Sequence, residues 1–192
     1  MIKAVIFDCF GVVISDALTV MCDELEQQNP SAVSKVWELV AEANRNEITS
    51  DESSLQVAEI FGMTLEQYRA ELQERERKNE ALLAYILELR RKYKVAMLSN
   101  VPRGSLERRF AADELGKYFD QIVASGEIGY AKPESEAYQL TAERLGVQPE
   151  ECVFIDDRQV CCMGAEAMGM RAVEYRSFAQ FKRDLEAILA NS

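Results

Sequence analysis

Residues 1–13 read MIKAVIFDCFGVV, and they decide how the rest of the chain can be arranged. Ala4, Val5, Ile6 and Phe7 form an unbroken apolar run. It is short enough for a strand and apolar enough to be covered on both faces inside a parallel sheet. The run stops at Asp8, and Cys9, Phe10 and Gly11 follow. A buried strand that delivers a carboxylate to its carboxyl end marks the edge where open α/β sheets bind ligands. Taken alone, the same residues also fit a polar side chain that opens a turn.

Past Asp16 the pattern changes to helical periodicity and stays helical to about Ala81. Leu18, Met21, Cys22 and Leu25 share one face, and Val33, Val36, Trp37 and Val40 another. Pro30 separates these two helices. Thr49 or Ser50 ahead of Asp51 and Glu52 predicts an N-cap, with a third helix running to about Phe61. Gly62 ends it, Thr64 caps a fourth, and Glu71 and Arg75 are spaced for i,i+4 pairing. The run QERERKNE at 73–80 reads as a solvated charged face. From about Leu82 strands and helices alternate. Strands are expected over 94–98, 122–124, 152–155 and 171–173, with helices from 82, from about Arg103, from Pro133 and after Asp157, and a last one striped by Phe178, Phe181, Leu185 and Ile188. Such alternation predicts a doubly wound α/β fold with five parallel strands. Residues 1–15 and 82–192 would form this core, and 16–81 a helical insertion.

Bulk composition narrows the function. With 33 acidic and 22 basic residues the net charge is -11, so nucleic acid and anionic membrane surfaces are not expected partners. No apolar run approaches the roughly 20 residues of a membrane span, and the start lacks a signal-peptide layout, so a cytoplasmic protein is expected, as a monomer or weak homodimer. Five cysteines form no CxxC pair, and histidine is absent, which disfavours zinc sites, disulfide frameworks and any imidazole-based catalysis. Catalysis would have to run on carboxylates, hydroxyls, lysine or a bound metal.

The residues at the expected strand ends are of this kind: Asp8 after the first, Ser99 and Asn100 after the second, Lys132 beyond the third, Asp156 and Asp157 after the fourth. Parallel strands bring their carboxyl ends side by side, so these residues can converge in one crevice. Three crowded carboxylates repel one another, and a hard divalent cation, most simply Mg2+, relieves that. Lys132 and Ser99 would then offer charge and a hydroxyl to an anionic substrate.

The segments FDCFGVV, LSN, AKP and FIDDRQVCCMGAEAMGM, in this order, resemble the four motifs of the haloacid dehalogenase superfamily over the whole chain. The insertion is similar to the small helical cap of the subfamily that includes sugar-phosphate phosphatases and the amino-terminal domain of soluble epoxide hydrolase, and NRNEIT at 44–49 resembles a recurring cap signature there. The resemblance implies a phosphatase acting on a small phosphorylated metabolite, with Asp8 as the nucleophile that becomes an aspartyl phosphate. It implies magnesium ligands at Asp8, the backbone carbonyl of Phe10 and Asp157, with Asp156 as a direct or indirect helper. Ser99, Asn100 and Lys132 would hold the phosphoryl group, and Arg103 is a further candidate for steering phosphate.

Two positions depart from the family pattern. Most family phosphatases carry a second aspartate where this chain has Phe10; it protonates the leaving alkoxide, and losing such a group typically costs about 10²- to 10⁴-fold. Aryl, acyl or anomeric sugar phosphates would suffer less than alkyl esters. Cys161 stands where related chains often carry asparagine, and a thiol is a weaker hydrogen-bond donor. Arg45 and Glu47 in the insertion are candidates to touch substrate or supply the proton transfer, and Cys9 is expected to be packed rather than reactive. Two other readings stay open: a catalytically weak binding or regulatory protein, and a metal-free 2-haloacid dehalogenase, which also carries a bulky residue at the Phe10 position. The acidic pair at 156–157 opposes the dehalogenase reading, because it would repel a halocarboxylate.

Overall fold

The computed structural model describes residues 1–111 and 113–191. Its centre is strand β1 (Ala4–Phe7), all four residues of which are fully buried. Three further strands, β2 (Lys94–Ser99), β3 (Gln121–Ala124) and β4 (Cys152–Asp156), and a last one, β5 (Arg171–Glu174), complete a sheet of order β3-β2-β1-β4-β5. All neighbouring pairs are parallel. The register pairs Phe7 with Met97 on one side and with Ile155 on the other, so Asp8 leaves the sheet level with the end of β4, where Asp156 sits. A strand bonded on both edges and covered on both faces requires apolar residues at every position, and Ala-Val-Ile-Phe supplies them.

Between β1 and β2 the chain makes helices α1 (Ala17–Glu26), α2 (Pro30–Asn44), α3 (Ser50–Ile60), α4 (Leu65–Arg75) and α5 (Glu80–Leu89). The first four pack around a core of their own, with Met21, Val36, Leu39, Val57 and Tyr68 at its centre. Thr49 and Thr64 each close a capping box, with Glu52 and Gln67 reaching back, which fixes where α3 and α4 begin. Pro30 is the first residue of α2, where its missing N–H costs nothing. The expected Glu71–Arg75 pair forms at 2.6 Å.

After β2 come α6 (Glu114–Tyr118), α7 (Ser125–Ile128), α8 (Ser135–Leu145), α9 (Gln159–Ala167) and α10 (Phe178–Ala190). One face of the sheet packs Val5, Phe7 and Met97 against Leu82 and Ile86 of α5 and Phe181 and Leu185 of α10. The other packs Ile6, Leu98 and Phe154 against Tyr138 of α8 and Ala165 of α9.

Three local expectations are corrected. The helix expected from about Arg103 is a succession of turns, with Gly104 at φ +76° and Leu106 and Phe110 buried; the helix there is the short α6. Pro102 and the left-handed Gly104 break any helical run. Helix α8 starts at Ser135 rather than Pro133, because the Glu134 carboxylate accepts the Ala131 N–H at 2.6 Å and closes a turn ahead of it. The run at 73–80 is not uniformly solvated: Glu76 and Lys78 are half-buried in ion pairs with Arg109 and Glu114.

Candidate active site

The carboxyl edge of the sheet and the facing side of the helical insertion enclose a cavity of about 530 Å³. Asp8 enters it from the end of β1, Ser99 and Asn100 from β2, Asp156 and Asp157 from β4, and Lys132 from the turn before α8. Six residues scattered over most of the chain thus meet because parallel strands end on one side.

Lys132 is the hub. Its ammonium lies 2.6 Å from Asp8 Oδ1 and 2.6 Å from Asp156 Oδ2, with its side chain only 3% exposed. Asn100 holds this lysine's backbone from both sides: its Oδ1 accepts the Lys132 N–H at 2.7 Å, and its Nδ2 donates to the Lys132 carbonyl at 2.8 Å. Asn100 therefore lines the cavity but works as the support of Lys132. Asp156 is fully buried and also accepts the Arg158 N–H at 2.9 Å.

Asp8, Asp156 and Asp157 each place a carboxylate oxygen within 4.8 Å of the others. Burial pushes the Asp8 carboxyl up from 3.8 to about 7; Lys132 opposes the rise and Asp156 adds to it. Asp157 is raised to about 6 by burial and by Asp156. Burial alone would depress the Lys132 ammonium, but Asp8 and Asp156 outweigh it and hold its pKa above the ordinary lysine value. One lysine cannot offset three carboxylates. Asp157 Oδ1 is buried with no hydrogen-bond partner among the described residues, and such an orphan is costly unless something binds it. Oxygen donors crowded in this way suit a hard divalent cation, and the donor set fits Mg2+. Gly11 makes the room: at φ +83°, a Cβ there would lie 2.3 Å from Asp157 Oδ2.

Phe10 lines the cavity, and the Arg109 guanidinium stacks 4.8 Å from its ring centre. Glu76 grips Arg109 through both carboxylate oxygens at 2.8 to 3.0 Å. Arg103, expected to steer phosphate, is exposed and does not line the cavity. The chain turns at 102–105 with the Arg103 backbone pressed against Gly126, and cationic side chains reach the cavity instead from Arg108 and Arg109. Arg45 and Glu47 also lie outside it, and Arg45 is 3.7 Å from Glu134. Cys161 lines the cavity with its thiol pushed up to about 12 by burial and Asp156, so it stays protonated. Cys9 is fully buried away from the cavity, as expected of a packed thiol, and burial and Asp8 hold its pKa well above the usual value.

Glu76 and Arg109 were not foreseen. Their partnership spans 33 positions and has no periodic signal; only the apolar residues at Leu106 and Phe110 hinted that the Arg109 stretch is packed.

These features belong to a known class. A family profile of the haloacid dehalogenase-like hydrolases matches residues 2–169, and the chain belongs to that family of enzymes. Over 62 residues it is 40% identical to the fructose-1-phosphate phosphatase YqaB of Escherichia coli, a match covering 32% of this chain and 33% of that protein. Over 87 residues it is 41% identical to the phosphatase MT3486 of Mycobacterium tuberculosis, covering 43% and 39%. The chain thus spans a third to two-fifths of the length of these curated relatives. A family enzyme of Bacteroides thetaiotaomicron, crystallised with magnesium and inorganic phosphate, superposes with a TM-score of 0.73 at 24% identity, covering 93% of this chain and 96% of the other. Among the described residues no helix is long and apolar enough to cross a membrane.

Proposed function

We propose that the chain is a magnesium-dependent phosphoric monoester hydrolase acting on a small phosphorylated metabolite through an aspartyl phosphate on Asp8. The observation that carries this reading is three carboxylates and a buried lysine in one cavity, with one carboxylate oxygen left unpaired. The sugar-phosphate and other phosphatases among its relatives, and the magnesium and phosphate bound by the Bacteroides enzyme, agree with it.

Asp8, Asp157 and the Phe10 carbonyl would hold the cation, with Asp156 committed to Lys132. The cation supplies positive charge that lets an anionic nucleophile approach an anionic phosphate. An Asp8 carboxylate oxygen attacks phosphorus, a new P–O bond forms, and the bond to the leaving oxygen breaks. Lys132 offsets charge on both nucleophile and phosphoryl group, and the Ser99 hydroxyl and adjoining backbone amides hold phosphoryl oxygens. Water then attacks phosphorus, releases inorganic phosphate and restores Asp8. The residue two past the nucleophile is Phe10, which has no proton to give. The leaving oxygen departs as an anion and takes its proton from water, which favours esters of more acidic alcohols. Helices α1–α4, within residues 16–81, act as the cap that closes the cavity over substrate and excludes water.

Asp8→Asn tests the assignment. It should abolish Mg2+-dependent hydrolysis of an aryl phosphate while leaving the circular dichroism spectrum intact; a variant that keeps its rate defeats it. Phe10 also supports a second reading, in which the chain binds a phosphorylated ligand and turns it over poorly. Mg2+ and phosphate binding without hydrolysis of any ester would favour that reading. Halide release from a 2-haloacid without metal would favour a dehalogenase instead.

A further inference from the structure

Resting on the phosphatase reading, we infer that the alcohol part of the substrate carries a planar aromatic or heteroaromatic ring, seated against the helical wall of the cavity. Away from the carboxylates, the apolar part of that wall is made by Leu18 of α1, Trp37 and Val40 of α2, Tyr68 and Leu72 of α4, and Phe10 of the core. Trp37 is 39% exposed, and Leu18, Val40 and Leu72 are only half-covered by their own helical core, so apolar surface remains for an occupant to cover. These groups come from four different elements, so an occupant meets apolar surface on more than one side. A ring with two flat apolar faces satisfies that arrangement. A polyol presents hydroxyls around its whole rim and would leave some unpaired against Leu18, Val40 and Leu72.

The cations of this region do not ask for a second anionic group. Arg109 is held by Glu76 and Lys78 by Glu114, Arg69 and Arg108 share Asp51, and Arg158, the remaining cation beside the carboxylates, is exposed at the phosphoryl end rather than at the apolar wall. Asn44, Ser54 and Gln73 line the same cavity, and their side chains make no hydrogen bond among the described residues. They can serve polar atoms on one edge of a ring. At about 530 Å³ the cavity has room for a ring in addition to the phosphoryl group.

The test uses esters whose leaving groups are all alkoxides, so that leaving-group acidity does not enter: 2-phenylethyl phosphate, glycerol 3-phosphate and glucose 6-phosphate, each with Mg2+. The KM for the phenylethyl ester should be lower than for either polyol ester by at least about tenfold, and Trp37→Ala should shrink that ratio about tenfold. Trp37 is the only tryptophan in the chain, so its fluorescence reports on the wall directly. Phenylphosphonate, which cannot be hydrolysed at its P–C bond, should change that fluorescence, and inorganic phosphate should change it much less. A preference for glucose 6-phosphate, or a Trp37→Ala effect equal for all three esters, overturns the inference while leaving the phosphatase reading intact. Should the variant fail to fold, the wild-type KM ratio still decides. A selective fluorescence response to phenylphosphonate without hydrolysis of these esters or of an aryl phosphate would keep the aromatic seat and reject the phosphatase.

Discussion

Lys132→Met is the most informative perturbation of the site. The substitution keeps the length of the side chain and removes the one cation among the described residues that pairs with Asp8 and Asp156, each at 2.6 Å, in a place where the lysine side chain is 3% and Asp156 0% exposed. Removing one partner of a buried ion pair typically costs about 3–5 kcal/mol, because the other charge is left without compensation. For a chain of this size that corresponds to a loss of roughly 10 °C in Tm. The cost depends on pH with a definite sign. Without the lysine, the folded-state pKa of Asp8 rises further above its unfolded value near 3.8. Stability tied to a raised carboxyl is present below the unfolded pKa and is lost as pH rises toward the folded one. The deficit should therefore be smaller at pH 5, where Asp8 is protonated in wild type and variant alike and only the Asp156 ion pair is lost, and largest at pH 7.5. Urea and thermal unfolding in EDTA at both pH values measure it. Saturating Mg2+ should recover part of the loss at pH 7.5, and hydrolysis should fall about 10²- to 10³-fold even with metal present. A deficit that is the same at both pH values, or none at pH 7.5, would refute the claim that Lys132 neutralises buried carboxylates.

Other outcomes follow from the same geometry. In metal-free wild-type protein, stability should decline between about pH 4 and pH 7, because Asp8 at about 7 and Asp157 at about 6 hold protons in the folded state that the unfolded chain has released. Mg2+ should flatten that slope, and unfolding midpoints measured with EDTA and with Mg2+ across the range check it. Gly11→Ala should weaken Mg2+ binding by about 10- to 100-fold in calorimetric titration, since the new Cβ would displace Asp157 from 2.3 Å away; unchanged affinity would remove Asp157 from the ligand set. Phe10→Asp should raise turnover of alkyl phosphates relative to aryl phosphates by about 10²-fold in steady-state assays, and equal gains on both would mean that proton transfer is not the deficit.

Much of this molecule could be read from its residues in order. A strand buried on both faces must be apolar throughout, so Ala4–Phe7 identified the centre of the sheet, and the parallel arrangement then placed Asp8, Ser99, Lys132, Asp156 and Asp157 on one edge. Caps at Thr49 and Thr64 were equally legible, because a capping box is a local pattern of three or four residues. What the sequence could not decide were relations between segments whose partners lie far apart. Glu76 reads as one charge in a solvated run until Arg109 folds over Phe10 and holds it. Arg103 reads as a phosphate contact until Pro102 and Gly104 turn the chain and bring Arg108 and Arg109 to the cavity in its place. Asn100 reads as a ligand contact until its amide is seen bound to both backbone groups of Lys132. Strand ends and caps are set by short-range sterics and burial, whereas the pairing of charges and the shape of the cavity wall depend on which loops meet, and only the tertiary structure fixes that.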